Sequence, residues 1–214
     1  MKIIDLTHVI SKDMPVYPGT EKPKFSPANT YEKDGFKETL LTMFSHTGTH
    51  MDPPAHLFSS GLSLDKMPVE SFIGSALVID CKGLKEGDSV PLERVLAYGD
   101  KAKDAEFLLF NFGWDKYWGT QKYYGEYPIL SDQVVDYIIA KNKKGVGLDV
   151  IGIDPIKDQN LTIHKKLFNN NSIVVIENLT KLDLVGKELF TLFALPLRYE
   201  NADGSPIRAV AVIK

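Results

Sequence analysis

One short segment constrains this chain more than any other. Ser45-His46-Thr47-Gly48-Thr49-His50-Met51-Asp52-Pro53-Pro54-Ala55-His56 places three of the chain's five histidines within eleven positions, beside a carboxylate. Two backbone conformations would bring those side chains together. A helix would put His46 and His50 on one face, four residues apart, whereas a strand would align His46, Gly48, His50 and Asp52 by alternation. Thr47 and Thr49 are β-branched, Gly48 is a poor helix former and Pro53-Pro54 forbids continuation of a helix, so a strand is predicted. In that strand Gly48 would leave room for an ion between two imidazoles, and the prolines would turn the chain so that His56 returns to the same pocket. Imidazole nitrogens with a carboxylate oxygen suit Zn²⁺, and also Mn²⁺ or Fe²⁺. A polar hairpin end with satisfied histidines would explain a lone histidine better than it explains this group.

So local a cluster supplies few ligands, which directs attention to distant partners. Glu177 ends Ile173-Val174-Val175-Ile176, a run apolar on both faces and therefore read as a central strand. An acid carried there is costly to bury unless it is paired or metal-bound. An exposed charge at a strand end is the competing explanation, and the residues alone leave the two open. His164 falls on a predicted short helix, Leu161 to Phe168, stopped by Asn169-Asn170-Asn171. A single helical histidine is more often surface or core than ligand.

The rest of the chain reads as sheet with a few helices. Strands are predicted at Ser75 to Asp80, Phe107 to Asn111, Gly147 to Ile153, Ser172 to Glu177, Phe190 to Leu197 and Ile207 to Ile213, with an extended span from Phe36 to His50. Helices are predicted from Pro91 to Ala97, proline being near a first-turn position, and from Ser131 to Ala140, behind a capping serine. This pattern argues for an α/β or α+β fold with a sheet-dominated core, and the absence of a linker or composition break argues for one domain over residues 1–214. Neither a G-x-G-x-x-G nor a G-x-x-x-x-G-K-[ST] phosphate loop occurs.

Composition excludes several function classes. Net charge is −3, and the densest basic pieces, Lys141 to Lys144 and Lys165-Lys166, are short and lack interleaved aromatics, so nucleic-acid binding is not expected. The start, Met1-Lys2-Ile3-Ile4-Asp5, has no signal-like apolar stretch, and no run reaches the roughly 18–20 residues of a membrane span. A cytoplasmic protein that does not enter membranes is expected. Cys81 is the sole cysteine and is read as a buried thiol. Of the aromatics Trp114, Tyr117, Trp118, Tyr123, Tyr124 and Tyr127, packing or interface roles are favoured over substrate contact.

With these residues in place, the chain resembles the cyclase family of metal-dependent hydrolases, whose best-known members are bacterial kynurenine formamidase and isatin hydrolase. The family pattern H-x-G-T-H-x-D-x-P-x-H is matched by His46, Gly48, Thr49, His50, Asp52, Pro54 and His56. Asp5-Leu6-Thr7-His8, Pro15-Val16-Tyr17-Pro18-Gly19, Gly113-Trp114-Asp115, Gly152-Ile153-Asp154, Glu177-Asn178-Leu179 and Asp203-Gly204-Ser205-Pro206 follow the family's order. The resemblance implies a swivelling β/β/α fold, a homodimer or homotetramer, and a pair of zinc ions per subunit, or manganese. It implies one metal on His46, His50 and Asp52 and another on Asp52, His164 and Glu177, with His56 as catalytic acid/base. It further implies hydrolysis of a C–N bond in a small-molecule amide, aryl formamide or lactam by metal-activated water. Tyr17, expected against the substrate, stands where the formamidases typically carry tryptophan. Asp154-Pro155-Ile156-Lys157 also departs from the usual D-T-P-S, so formylkynurenine is not singled out.

Two other readings compete. His50, Asp52 and His164 satisfy the 2-His-1-carboxylate triad of non-haem Fe(II) oxygenases, which would leave His46, His56 and Glu177 idle. A non-catalytic metal-binding protein would hold the ion and hydrolyse nothing. A serine hydrolase would need a G-x-S-x-G elbow, which is missing.

Overall fold

The computed structural model describes residues 1–169 and 172–213. Its strands are β1 (Lys2–Asp5), β2 (Lys24–Asn29), β3 (Glu38–Thr42), β4 (His50–Asp52), β5 (Ile73–Asp80), β6 (Ser89–Val90), β7 (Phe107–Asn111), β8 (Ile129–Leu130), β9 (Gly145–Leu148), β10 (Val174–Glu177), β11 (Phe190–Pro196) and β12 (Ser205–Ile213). The α-helices are α1 (Tyr31–Asp34), α2 (Leu92–Leu96), α3 (Asp100–Asp104), α4 (Asp132–Ala140) and α5 (Thr162–Phe168).

Eight strands form one sheet in the order β1-β12-β11-β5-β7-β9-β10-β4, and a further β12–β4 pairing closes it on itself. Neighbours from β5 through β7 and β9 to β10 run parallel, and the others run antiparallel. Alternation along the strands divides the apolar residues between two cores. Ala76, Val78, Phe107, Leu109, Val174, Ile176 and Leu192 fill the inside of the closed sheet. Leu77, Ile79, Leu108, Phe110, Val146 and Val175 face outward, where α4 and α5 cover them through Val134, Ile138, Leu167 and Phe168. The predicted sheet-rich α/β character is therefore what the chain adopts.

Several predicted bounds shift for physical reasons. Helix α4 begins behind Ser131, whose hydroxyl accepts the Val134 N–H as foreseen. Pro91 sits just before α2 rather than inside it. Strand β9 runs only from Gly145 to Leu148, because Asp149 bends the chain and takes the N–H groups of Phe112 and Trp114 at 2.9 Å each. Asn169 follows the end of α5, while Asn170 and Asn171 lie outside the described residues. Six short segments were not predicted, β1, β2, β6, β8, α1 and α3, and none carries a long periodic pattern.

The histidine segment differs most from expectation. Only His50–Asp52 is strand, and the extended span predicted from Phe36 is strand only over Glu38–Thr42. Between them the chain bends, and Gly48 adopts φ +67°, a left-handed conformation that glycine reaches without strain. A Cβ at Gly48 would lie 3.3 Å from Met14 Cε and 3.4 Å from Ile10 Cγ1, so its bare side faces packing. The glycine is there for the turn, not to make room for an ion.

Candidate metal centre

Pairing of β4 with β10 places the first two elements of the site. Glu177 lies opposite His50 and Val175 opposite Asp52, while Met51 and Ile176 point the other way into the closed core. His50, Asp52 and Glu177 thus share the outer face of the sheet, all buried. Helix α5 brings His164 over that face, also buried. Pro54–His56 forms one turn of 3₁₀ helix behind Pro53, which returns the His56 ring to 4.0 Å from that of His46. The structure brings together every metal-site residue expected from sequence.

Asp52 is the hub. Its Oδ1 lies 2.6 Å from His46 Nδ1 and 3.3 Å from His50 Nε2, and its Oδ2 lies 3.3 Å from His164 Nε2. Glu177 faces the same rings, 3.4 Å from His50 Nε2 and 3.5 Å from His164 Nε2, while its Oε1 accepts the Ile153 N–H at 2.7 Å. Two groups result, His46–His50–Asp52 and Asp52–His164–Glu177, with ligand atoms within 4.8 Å of one another in each. A third such group joins His46 and His56 to the half-exposed Asp203.

Each of the three rings around Asp52 is anchored through its other nitrogen. His50 Nδ1 donates to the Gly48 carbonyl at 2.8 Å. His164 Nδ1 donates to Asp154 Oδ2 at 2.6 Å, and that carboxylate also takes the N–H groups of Ile163 and His164. His46 Nε2 lies 3.4 Å from Asp203 Oδ2, and a Cβ at Gly204 would collide with the His46 ring. Metal-ligating histidines are held this way, since the outer bond fixes tautomer and ring direction. Asp154 therefore both orients a ring and caps the start of α5. Asp203 and Asn178 acquire contacts at the site that sequence gave them no role for. Their only sequence signal was their place in the Asp203-Gly204-Ser205-Pro206 and Glu177-Asn178-Leu179 motifs.

Charge distribution fits a cation. Burial alone would lower the His50 pKa, but Asp52, then Glu177, outweigh it and lift the ring to about 9. Burial opposes protonation of His164 too, and bonds to Asp154 and Asp52 raise it to about 10. The Asp52 carboxyl, despite burial, is held well below its usual range by His50 and His46. Burial, then the Asp52 charge, raise Glu177. Protons on these rings occupy places a divalent ion would take, and ligand binding by metal displaces them. His56 is different: burial drives it down to about 4. Three imidazoles and two carboxylates converging without a lysine or arginine are a donor set that suits a metal. A 2-His-1-carboxylate triad is not favoured, because His46 and Glu177 face the same hub.

The centre floors a cavity of about 320 Å³ walled by Pro15, Val16, Tyr17, Phe44, Ile151 and Leu161. Tyr17, expected from sequence against a substrate, lines that cavity and is 38% exposed. Of the aromatic group, Trp114, Tyr123 and Tyr127 are buried in the outer core and none lines the cavity. Burial lifts the Cys81 thiol to about 12, which makes it inert as a nucleophile. Among the described residues no helix is long and apolar enough to cross a membrane.

Comparison with known proteins places this geometry. A kynurenine formamidase of Bacillus thuringiensis (strain Al Hakam) is 30% identical over 208 residues, covering 97% of this chain and 95% of the relative. One of Bacillus anthracis is 30% identical over 210 residues, covering 98% and 96%. Isatin hydrolase A from Labrenzia aggregata, solved with benzyl benzoate, superimposes with a TM-score of 0.87 at 24% identity, over 100% of this chain and 94% of its own. It has the same fold. The model of the Cyclase family, described as "Putative cyclase", matches residues 4–155, the stretch that includes the histidine motif, and the chain belongs to that family.

Proposed function

We propose that this chain is a metal-dependent hydrolase that cleaves the C–N bond of a small amide, an aryl formamide or a lactam. The observation that carries this reading is the pair of ligand groups sharing Asp52, with the His56 ring beside them and an apolar cavity above. Its relatives include kynurenine formamidases, which supports amide chemistry. The metal is zinc, one ion on His46, His50 and Asp52 and a second on Asp52, His164 and Glu177, with manganese the alternative. When bound, such ions lower the pKa of water toward about 7 and polarise a carbonyl.

The chain's own side chains do the rest. Tyr17 and Phe44 hold the planar part of the substrate between apolar walls and keep bulk water from the scissile bond. His56 enters the reaction neutral, so it accepts a proton from the attacking water and returns it to the departing nitrogen. Atoms balance as water plus amide giving acid plus amine, or, for a lactam, one ring-opened amino acid. Tyr17 in place of tryptophan, and Asp154-Pro155 beside His164, leave formylkynurenine one candidate among aryl formamides, lactams and related carbonyl compounds. The chain assembles as a homodimer or homotetramer, which its exposed β2–β3 ribbon supports through Phe25, Phe36, Leu40 and Leu41.

The test is elemental analysis of purified protein, then a screen of formanilides, lactams and aryl esters after chelation and return of zinc or manganese. Metal at or above one ion per chain, with turnover restored by zinc or manganese, is expected. Turnover that needs iron and oxygen, or a metal-loaded protein inert to every carbonyl substrate, would overturn the reading.

A further inference from the structure

Beyond the ligands, a buried chain of polar groups reaches the backbone that carries His50. Tyr123 is fully buried, and its hydroxyl lies 2.7 Å from Asn178 Oδ1. Asn178, also buried, donates from Nδ2 to the Gly48 carbonyl at 2.9 Å. That carbonyl is the one that accepts His50 Nδ1–H at 2.8 Å. The Asn178 carbonyl takes the Thr49 hydroxyl at 2.6 Å, and the Thr49 hydroxyl in turn accepts the His8 N–H at 2.9 Å.

Donor and acceptor counting leaves one arrangement. A carbonyl oxygen only accepts, so the amide nitrogen of Asn178 must face Gly48 and its oxygen must face Tyr123. The tyrosine hydroxyl then donates. Without it, Asn178 Oδ1 would be buried and unpaired, and the amide would gain by turning over, which would set oxygen against oxygen at Gly48. Tyr123 therefore locks Asn178, Asn178 locks the Gly48 carbonyl, and that carbonyl directs His50.

We propose that Asn178 and Tyr123 are positioning residues of the metal centre, which hold the Gly48 carbonyl so that His50 presents Nε2 to Asp52 and Glu177. The proposal rests on the metal reading given above. A simpler account would make Asn178 a turn residue, since it sits at φ +57° where asparagine is tolerated, and Tyr123 a core aromatic. A turn needs no side-chain partners, however. Here both ends of the amide are spent, one on the loop that carries a ligand and one on a hydroxyl far away in sequence. Asn178 also directly follows Glu177, so one residue couples the two ligand-bearing segments.

The experiment compares Tyr123→Phe, Asn178→Asp and Tyr98→Phe with the unaltered protein, using Co²⁺ as probe. Tyr123→Phe keeps the ring and removes the lock. Asn178→Asp keeps size and turn tolerance but sets an oxygen against the Gly48 carbonyl. Tyr98→Phe is the control, because it deletes a hydroxyl that takes the Asp80 N–H at 2.9 Å, on a residue outside the metal centre. Readouts are Co²⁺ affinity, the visible Co²⁺ absorption spectrum and the melting temperature of the metal-free chain. Tyr123→Phe should bind about 10-fold more weakly with a changed spectrum, in line with losses seen when partners of metal-bound histidines are removed. Asn178→Asp should lose at least as much, and Tyr98→Phe should lose thermal stability alone. Unchanged affinity and spectrum in both Tyr123→Phe and Asn178→Asp would overturn the positioning role and leave the metal reading standing. No Co²⁺ binding by the unaltered protein would sink both.

Discussion

His56 makes no ring hydrogen bond to the described residues, whereas His46, His50 and His164 are each held by a carboxylate or carbonyl on the side away from the hub. A ring so free is suited to exchange protons rather than to hold a metal. His56→Ala should keep its metal by elemental analysis and lose about 10²- to 10⁴-fold in kcat, the range general acid–base catalysis contributes. Asp52→Ala should lose both metal and turnover, since every ring around it points at that carboxylate. Full activity in His56→Ala would reassign the proton transfer. The ligands were legible because few residue types bind divalent metals, and three of them, His46, His50 and Asp52, fall on one parity within seven positions. Asn178, Tyr123 and Asp203 were not. Amides, hydroxyls and exposed acids serve turns and surfaces everywhere, and these gain meaning only from contacts that span much of the sequence.

At the scale of elements, the strands with long β-branched runs were legible and their ends were not. Strand β9 shows why. Val150, Ile151 and Ile153 are as apolar as the strand before them, yet they follow a bend imposed by Asp149, whose partners Phe112 and Trp114 come from another segment. Asp149→Asn replaces one acceptor oxygen by a donor facing a buried N–H, and should cost about 1–3 kcal/mol in chemical unfolding. His8 ties the start of the chain to the same region. Its ring stacks on Trp118 at 3.8 Å, and burial pushes its pKa down to about 4. The unfolded ring takes its proton near about 6.5, so between those values the unfolded state binds more protons. The stabilising contribution is full above the unfolded value and lost as pH falls toward the folded one. Measured against His8→Phe, which keeps the stack without the proton, the metal-free protein should lose stability as pH drops from about 7 toward 4. A difference that stays constant across that window would show that His8 does not titrate on unfolding.

Across the whole molecule, the most conspicuous exposed surface is the β2–β3 ribbon. A two-stranded hairpin is marginal by itself in water, and this one leaves Phe25, Leu40 and Leu41 each more than two-fifths exposed. Burial of such residues against another copy would supply what the hairpin lacks. Light scattering should therefore give a dimer or larger, and Leu40→Lys with Leu41→Lys should shift the mass toward monomer without removing metal. A monomeric unaltered protein would refute the assembly. Sequence could show that these residues are apolar, but only the fold shows that the described residues of their own chain leave them largely open.

Closure of the sheet has a further consequence. The edge of β4 opposite β10 is sealed by Ser205 and Pro206, and the Ile207 N–H bonds the Thr49 carbonyl at 3.0 Å. Until those late residues arrive, the segment bearing His50 and Asp52 keeps a bare flank able to zip onto a neighbour. Refolding at high concentration should thus be self-limiting, with misassembled chains joined through the very strand that later grips the ion. Closure thus guards the ligand-bearing strand, because the residues that seal its free edge come from far along the chain.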